Sequence, residues 1–250
     1  MRRFYITPDK IASDRATIHG ADARHVRNVL RSKPGDALIL FDGRGMNYYS
    51  QITRITSDEI FLTIQDQFRS ASESPVHVTV GQALVRAGKM DRIVRQFTEL
   101  GGDRFVPVWT DRSTVKPEAE RFRKRRARWQ KIALESLKQC GRSYIPEIEP
   151  VQSFEEVVTK HDTYDLCIIF DTVIEDREQT DFPPREEINR ILVLIGPEGG
   201  FTTDEVEMTR KRGFIVSPMG PRVLKSDTAM VAALTLIQHR FGDLTLIKRA

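Results

Sequence analysis

The decapeptide GPEGGFTTDE, which begins at Gly196, sets three glycines and a proline between a greasy run, ILVLI at residues 191–195, and a helix start. Thr202 and Glu205 have the spacing of a capping box, so the helix begins where the turn ends. A strand, a glycine-rich turn and a helix N-terminus let a ligand approach the backbone closely. Phosphate is a poor candidate. The turn has neither the Lys-Ser/Thr of a P-loop nor a G-x-G-x-x-G pattern, and Glu198 would repel an anion. The residues better suit a neutral or cationic ligand held by backbone groups. A second turn of the same build follows in FIVSPMGPRVLKSDTAM, where an apolar run over residues 214–219 ends at Gly220-Pro221 and a helix begins near Ser226 or Asp227. Either turn alone reads equally well as a plain βα connection. Two in succession at strand C-terminal ends, where α/β sheets place their ligands, favour a binding site.

The elements that must position these turns divide the chain near residues 70–75, SASESP, a small, polar and proline-terminated stretch. Before it, FYI, ALILFDG, NYYSQITRIT and EIFLTIQDQF read as short strands of a small β-barrel, interrupted by one helical segment over residues 21–31. After it come the strand VHVTVGQAL, a helix over residues 90–100 ended by Gly101-Gly102, the strand RFVPVWT and a long helix over residues 117–140 with Pro117 in its first turn. DLCIIFD, ILVLIG and FIVSPM are near-continuous apolar runs, as expected of strands buried on both faces of a parallel sheet. The last helix, TAMVAALTLI, is small and apolar nearly all round, which calls for a tightly packed core or a subunit interface.

The chain has 250 residues, a formal net charge of +4 and an apolar fraction of 40%, ample for a real core. The positive charge is concentrated. RFRKRRARWQK, from Arg121 to Lys131, holds seven basic residues in eleven and no acid, while Trp129, Ile132, Ala133, Leu137 and Cys140 define a buried stripe. A solvated helix face is the bland interpretation; self-repulsion among the cations favours a polyanion partner instead. Arg24, Arg27 and Arg31 recur three and four apart in ADARHVRNVLR, suggesting a second basic surface for the same nucleic acid. Cys140 and Cys167 stand outside any CxxC or CxxH pair, which fits a reducing compartment and no structural zinc. The five histidines, 19, 25, 77, 161 and 239, have no ligand spacing, so no metal is expected. The opening MRRFYITPDK lacks the apolar core of a signal peptide, and no run approaches the roughly 18 apolar residues of a membrane span. A cytoplasmic protein is the expectation.

GPEGGFTTDE followed by MGPRVLKSDTA resembles the paired signature of the RsmE family, the bacterial 16S rRNA uridine-N3 methyltransferases. HVRNVLRSKPGD, FDGRG, GKMDRIVRQFTELGGDRFVPVWTDRSTVK and ESLKQCGRSYIPEI extend the resemblance over nearly the whole chain. It implies an N-terminal PUA-like β-barrel over residues 1–72 for RNA binding. It further implies an α/β SPOUT methyltransferase domain over residues 73–250, with a parallel sheet and a deep trefoil knot, acting as a homodimer on the small ribosomal subunit. The implied cofactor is S-adenosylmethionine. Its pocket would be formed by Phe170, Asp171 and Thr172, by Ile195, Gly196, Pro197, Glu198, Gly199 and Gly200, and by Met219, Gly220, Arg222, Val223, Leu224 and Thr228. Methylation at N3 requires loss of the imide proton and in-line attack on the sulfonium methyl. Arg222 is the first choice for stabilising charge on the base, with Lys225 and Arg142 in support. Glu198 or Asp227 is positioned to accept the proton; alternatively Glu198 ties down its own loop and Asp227 caps its helix. RNA contacts are expected at Arg24, Arg27, Arg31, Arg121, Lys124, Arg125, Arg128 and Arg142. The chain departs from the usual family pattern at Arg95, Lys138, Lys225 and Asp227, and only Lys138 reverses charge. Competing functions are a SPOUT methyltransferase acting on another RNA, such as tRNA, and a non-catalytic RNA-binding protein.

Overall fold

The structure is a computed structural model that describes residues 2–171 and 182–245. It divides into two compact units. The first comprises Met1–Glu73 together with Leu134–Ile145, and the second Ser74–Ala133 with Pro146–Ala250.

In the first unit, strands β1 (Arg3–Tyr5), β2 (Ile11–Ala12), β3 (Arg15–His19), β4 (Ala37–Phe41), β5 (Met46–Ile55) and β6 (Glu59–Arg69) form one sheet in the order β1-β4-β5-β6-β3-β2. β1 runs parallel to β4 and the remaining pairs are antiparallel. Among the described residues no ladder joins β1 to β2, so the sheet keeps two edges. Register shifts at Tyr49/Ser50 and Ile52/Arg54 bulge the β5–β6 pair and bend it. Alternate residues point inward: Ile18 on β3, Leu38 and Leu40 on β4, and Ile60 and Leu62 on β6 share one core with Phe4 and Val26.

The expected helix over residues 21–31 is two pieces. A short α1 (Gly20–Arg24) passes into a π-helical turn over His25–Val29, where the Leu30 amide reaches the His25 carbonyl at 3.0 Å. The widened turn breaks the three-four periodicity. Val26 stays buried, whereas Val29 is 67% exposed.

The second unit is a seven-stranded sheet, parallel in every pair. Its strands are β7 (His77–Ala83), β8 (Arg104–Trp109), β9 (Glu147–Ile148), β10 (Gln152–Ser153), β11 (Leu166–Phe170), β12 (Arg190–Ile195) and β13 (Ile215–Ser217). The order is β10-β8-β7-β12-β11-β13, with β9 also on β8. Helices α2 (Ala87–Glu99), α4 (Phe154–Val158), α5 (Thr203–Arg210) and α6 (Ser226–Arg240) belong to this unit, and α3 (Ala119–Cys140) supplies residues to both. The long helix thus begins two residues after Pro117.

The near-continuous apolar strands are explained by burial on both faces. Ile191, Val193 and Ile195 of β12 enter one core with Met90, Phe97 and Leu234, while Leu192 and Leu194 enter another with Phe154 and Phe201. The end of β12 therefore emerges from a support packed on both faces, whereas β13, at the sheet edge, has Ile215 and Val216 half-buried.

Candidate active site

The C-terminal ends of β11, β12 and β13 open onto one cleft. Phe170 and Asp171 line it from the first strand end, and Ile195 with the following Gly196–Phe201 segment line it from the second. Met219, Arg222, Val223 and Leu224 come from the third, and Arg112, Ser226 and Ala229 complete the wall.

Local sequence explains the shape. Gly200 sits at φ 68°, a conformation only glycine adopts without cost, and its amide closes a turn onto the Pro197 carbonyl at 3.0 Å. A Cβ on Gly196 would lie 3.2 Å from the ring of Phe201, itself packed on Phe154 at a centroid distance of 5.5 Å. The Thr202–Glu205 capping box is present. The second carboxylate oxygen of Glu205 accepts the Asp111 amide at 3.0 Å, which fixes the segment carrying Arg112.

The carbonyls of the loop are largely engaged within the protein. Arg112 Nη1 donates to the carbonyls of Gly199 at 2.9 Å and Phe201 at 3.0 Å. Ser226 Oγ donates to the Gly196 carbonyl at 2.8 Å and accepts from Gln82 Nε2 at 2.9 Å. Gln82, at the end of β7, is fully buried, and its Oε1 has no hydrogen-bond partner among the described residues. The sequence offered no local signal for these tethers. Arg112 lies 87 residues from Gly199, and Gln82 lies 144 residues from Ser226.

Glu198 lines the cleft and accepts a 2.7 Å hydrogen bond from Lys89 Nζ. Burial pulls its pKa upward. The Lys89 hydrogen bond, its own backbone amide and the charges of Lys89 and Arg86 outweigh that and hold it below the ordinary carboxylate value. Glu198 is therefore an ionised, tethered group. Arg222 is exposed on the cleft wall and has no hydrogen bond or ion pair among the described residues.

Of the residues expected to bind cofactor, Gly220 and Thr228 do not line the cleft, Thr228 being exposed on α6, and Thr172 lies outside the described residues. Lys225 is exposed at the N-cap of α6 and also stands off the lining. Asp227 is not the cap: Lys225 takes that position, and Asp227 Oδ2 lies 3.3 Å from Arg92 Nη1. Arg112, Phe201, Ser226 and Ala229 join the lining without having been anticipated.

The structure corrects the picture of a bare positive helix. Arg123 and Lys124 approach Glu120 at 3.0 and 3.5 Å, and Arg128 approaches Asp91 at 2.8 Å. Arg126 donates to the Ile148 carbonyl, and Arg125 stacks over Phe122 at 4.8 Å. Among the seven cations of the run, Arg121 and Lys131 have no such side-chain contact, and both are exposed. In the first unit Arg24 and Arg31 are exposed, but Arg27 donates to the carbonyls of Thr56 and Ser57 and so pins the β5–β6 turn.

Arg142 is a clearer correction. Its side chain is 4% exposed and its Nε lies 2.9 Å from Glu73, so it serves the interior of the first unit and presents no surface to RNA. Lys138, the charge reversal, also has a structural partner. Its Nζ sits 2.9 Å from Asp22 and 2.8 Å from Glu135.

Among the described residues no group of His, Cys, Asp and Glu is arranged to hold a metal ion, and no helix is long and apolar enough to cross a membrane.

A family model described as an RNA methyltransferase domain matches residues 72–238, and one described as an RNA methyltransferase PUA domain matches residues 18–65. The chain is 28% identical to ribosomal RNA small subunit methyltransferase E of Bacillus subtilis, over 96% of this chain and 97% of that protein. It is 30% identical to the protein of the same name from Buchnera aphidicola (subsp. Schizaphis graminum), over 88% and 89% respectively. Its fold is similar to the crystal structure of ribosomal RNA small subunit methyltransferase E from Neisseria gonorrhoeae bound to S-adenosyl methionine. That likeness has a TM-score of 0.87 and 29% identity, covering 98% of this chain and all of the other. Two glycine turns on the strand ends that flank β11, the capping box behind the first, and similarity along both units agree: the chain belongs to the ribosomal RNA small subunit methyltransferase E family of RNA methyltransferases.

Proposed function

We propose that the protein transfers a methyl group from S-adenosylmethionine to N3 of a uridine in 16S rRNA of the small ribosomal subunit. The observation that carries this reading is the single cleft formed where β11, β12 and β13 end, lined by both halves of the family's paired motif. The residues present fit the cofactor. Phe170, Ile195, Met219 and Leu224 offer apolar walls for an adenine ring, Gly196 and Gly199 permit close backbone approach, and Asp171 and Glu198 place acids beside a cationic ligand. When bound, S-adenosylmethionine supplies a methyl group activated by its positive sulfur.

The chain's own residues orient and stabilise. Arg222, exposed on the cleft wall, holds the uracil and balances the negative charge that spreads onto O2 and O4 as N3 loses its proton. Lys225, beside the same turn, adds positive potential. Glu198, ionised and tied to Lys89, acts by fixing the loop and by its charge more than by taking the proton.

Arg24 and Arg31 in the PUA-like region, residues 1–72, and Arg121 in the methyltransferase region, residues 73–250, are the exposed cations suited to RNA phosphates. The protein works in the bacterial cytoplasm as a homodimer. Support for a partner copy comes from α6, where Leu236 is 51% exposed and Val231 is half-buried on an otherwise apolar helix.

The test is transfer of labelled methyl groups to small ribosomal subunits from a strain that lacks this gene, with the modified nucleoside identified by mass spectrometry. The expected product is 3-methyluridine at one rRNA position. Arg222→Ala is expected to reduce turnover by about two orders of magnitude at unchanged cofactor affinity. Recovery of the label in another nucleoside, or wild-type turnover in that variant, counts against the assignment.

A further inference from the structure

α2 carries a feature that the methyltransferase reading does not use. Arg86 at its N-cap, then Lys89, Arg92 and Arg95, recur at intervals of three, while Met90, Ile93, Val94 and Phe97 are buried. Arg86, Arg92 and Arg95 are exposed and Lys89 is half-buried. Nine residues of helix carry this row over about 13 Å. A row spaced by three shifts by about 60° at each step, so the charges form a steeply inclined stripe that turns about half-way around the axis from Arg86 to Arg95.

The stripe runs beside the cleft. Lys89 meets Glu198, a lining residue, at 2.7 Å, and Arg92 meets Asp227 at 3.3 Å, next in sequence to the lining residue Ser226. The two acids offset two of the four cations. Arg86 and Arg95 have no hydrogen bond or ion pair from their side chains among the described residues. Asp91, the acid in the middle of α2, faces α3, where it accepts from Arg128 and from Trp129 Nε1 at 3.1 Å. On α3, Glu120 and Asp91 pair with three of the seven cations and Arg126 donates to the Ile148 carbonyl.

We propose that the basic stripe of α2, centred on Arg86 and Arg95, is the track on which the phosphate backbone of the RNA lies as its target base enters the cleft. The inference rests on the RNA methyltransferase reading and adds the surface that positions the substrate. Charge and continuity with the cleft both select a polyanion, and a target base splayed from its neighbours needs its flanking phosphates held close by.

The test uses the full chain with Arg86→Ala/Arg95→Ala, neither side chain hydrogen-bonded to the cofactor loop, and Lys160→Ala/Lys211→Ala, two exposed cations elsewhere on the same unit, as the matched loss of charge. Binding to small ribosomal subunits is measured across a salt series, with KM for subunits, kcat and cofactor affinity alongside. The α2 variant is expected to raise KM about ten-fold. It should also flatten the slope of log K against log salt by about 1.4, the value for two phosphate contacts on single-stranded RNA. kcat and cofactor affinity should stay near wild type, and the control variant should move each quantity less. An unchanged slope in the α2 variant, or equal losses in both variants, overturns the proposal. Absence of methyl transfer by the wild type would instead strike at the methyltransferase reading, and the salt slopes of wild type and variant would still decide whether the stripe binds RNA.

Discussion

Ser226 governs more of the cleft than its size suggests. Its hydroxyl donates to the Gly196 carbonyl and accepts from the buried Gln82 amide, so one oxygen joins the end of β7, the start of α6 and the first residue of the turn. Removing it takes the Ser226 donor from the Gly196 carbonyl and strands one of the two Gln82 Nε2–H groups, the other still reaching the Ala83 carbonyl, and each buried group so stranded costs about 1–3 kcal/mol. Ser226→Ala is therefore expected to weaken cofactor binding about ten-fold or more, the effect of about 1.4 kcal/mol, while kcat changes little. Ser226→Thr, which keeps the hydroxyl, should restore affinity. Equilibrium binding and steady-state kinetics separate the outcomes: a fall in kcat at constant affinity would contradict a positioning role. The sequence shows Ser226 only as the residue before Asp227, and nothing in its neighbourhood hints at Gln82, 144 residues away. Arg142 misleads for the same reason. It reads as one more cation, and its neutralising partner Glu73 lies 69 residues upstream.

Elements with strong local signals were legible. β12 stands out because five apolar residues in a row have no place outside a two-sided sheet, and the start of α5 because Thr202 and Glu205 cap it within four residues. The two-residue strands β9 and β10 leave no periodic trace, and the π turn after α1 mimics a continuous helix until Val29 is found facing solvent. α2 shows how an element can serve its own core and a distant loop together. Its inner side packs Ile93 and Phe97, and its first turn sends Lys89 to Glu198. Because the pKa of Glu198 is lowered on folding, the pair contributes stability in full above the ordinary value of 4.5, and the contribution is lost as pH falls through the lowered one. Lys89→Met should therefore be less stable than wild type at neutral pH, and the gap should close as the solution is acidified below about pH 4.5. Denaturant midpoints at pH 7 and pH 3.5 would show it; a gap that persists at the lower pH would place the effect in packing instead.

At the scale of the molecule, the parallel sheet of the second unit brings together strand ends that are far apart in the chain, and the cleft exists only when all three are in place. A ligand bound there opposes unfolding of the whole sheet and not of one loop. S-adenosylmethionine at one hundred times its Kd should add about 2.7 kcal/mol to the unfolding free energy of this unit. Differential scanning calorimetry should register that as a rise of about 5–10 °C in its midpoint. A shift in local proteolysis without a shift in midpoint would mean that the loops close independently of the sheet.

The strand order has a further consequence for how the chain is made. β7 pairs on one side with β8, whose residues follow within about thirty positions, and on the other with β12, whose partner for His77 is Arg190. At translation speeds of about 5–20 residues per second, the far edge of β7 therefore stays open for roughly 6–20 s after it is synthesised. Throughout that interval Val78 and Val80 lie on an apolar strand with one edge open. The nascent protein is thus most prone to sticking, and most in need of a chaperone, before the two glycine turns of its cleft have left the ribosome.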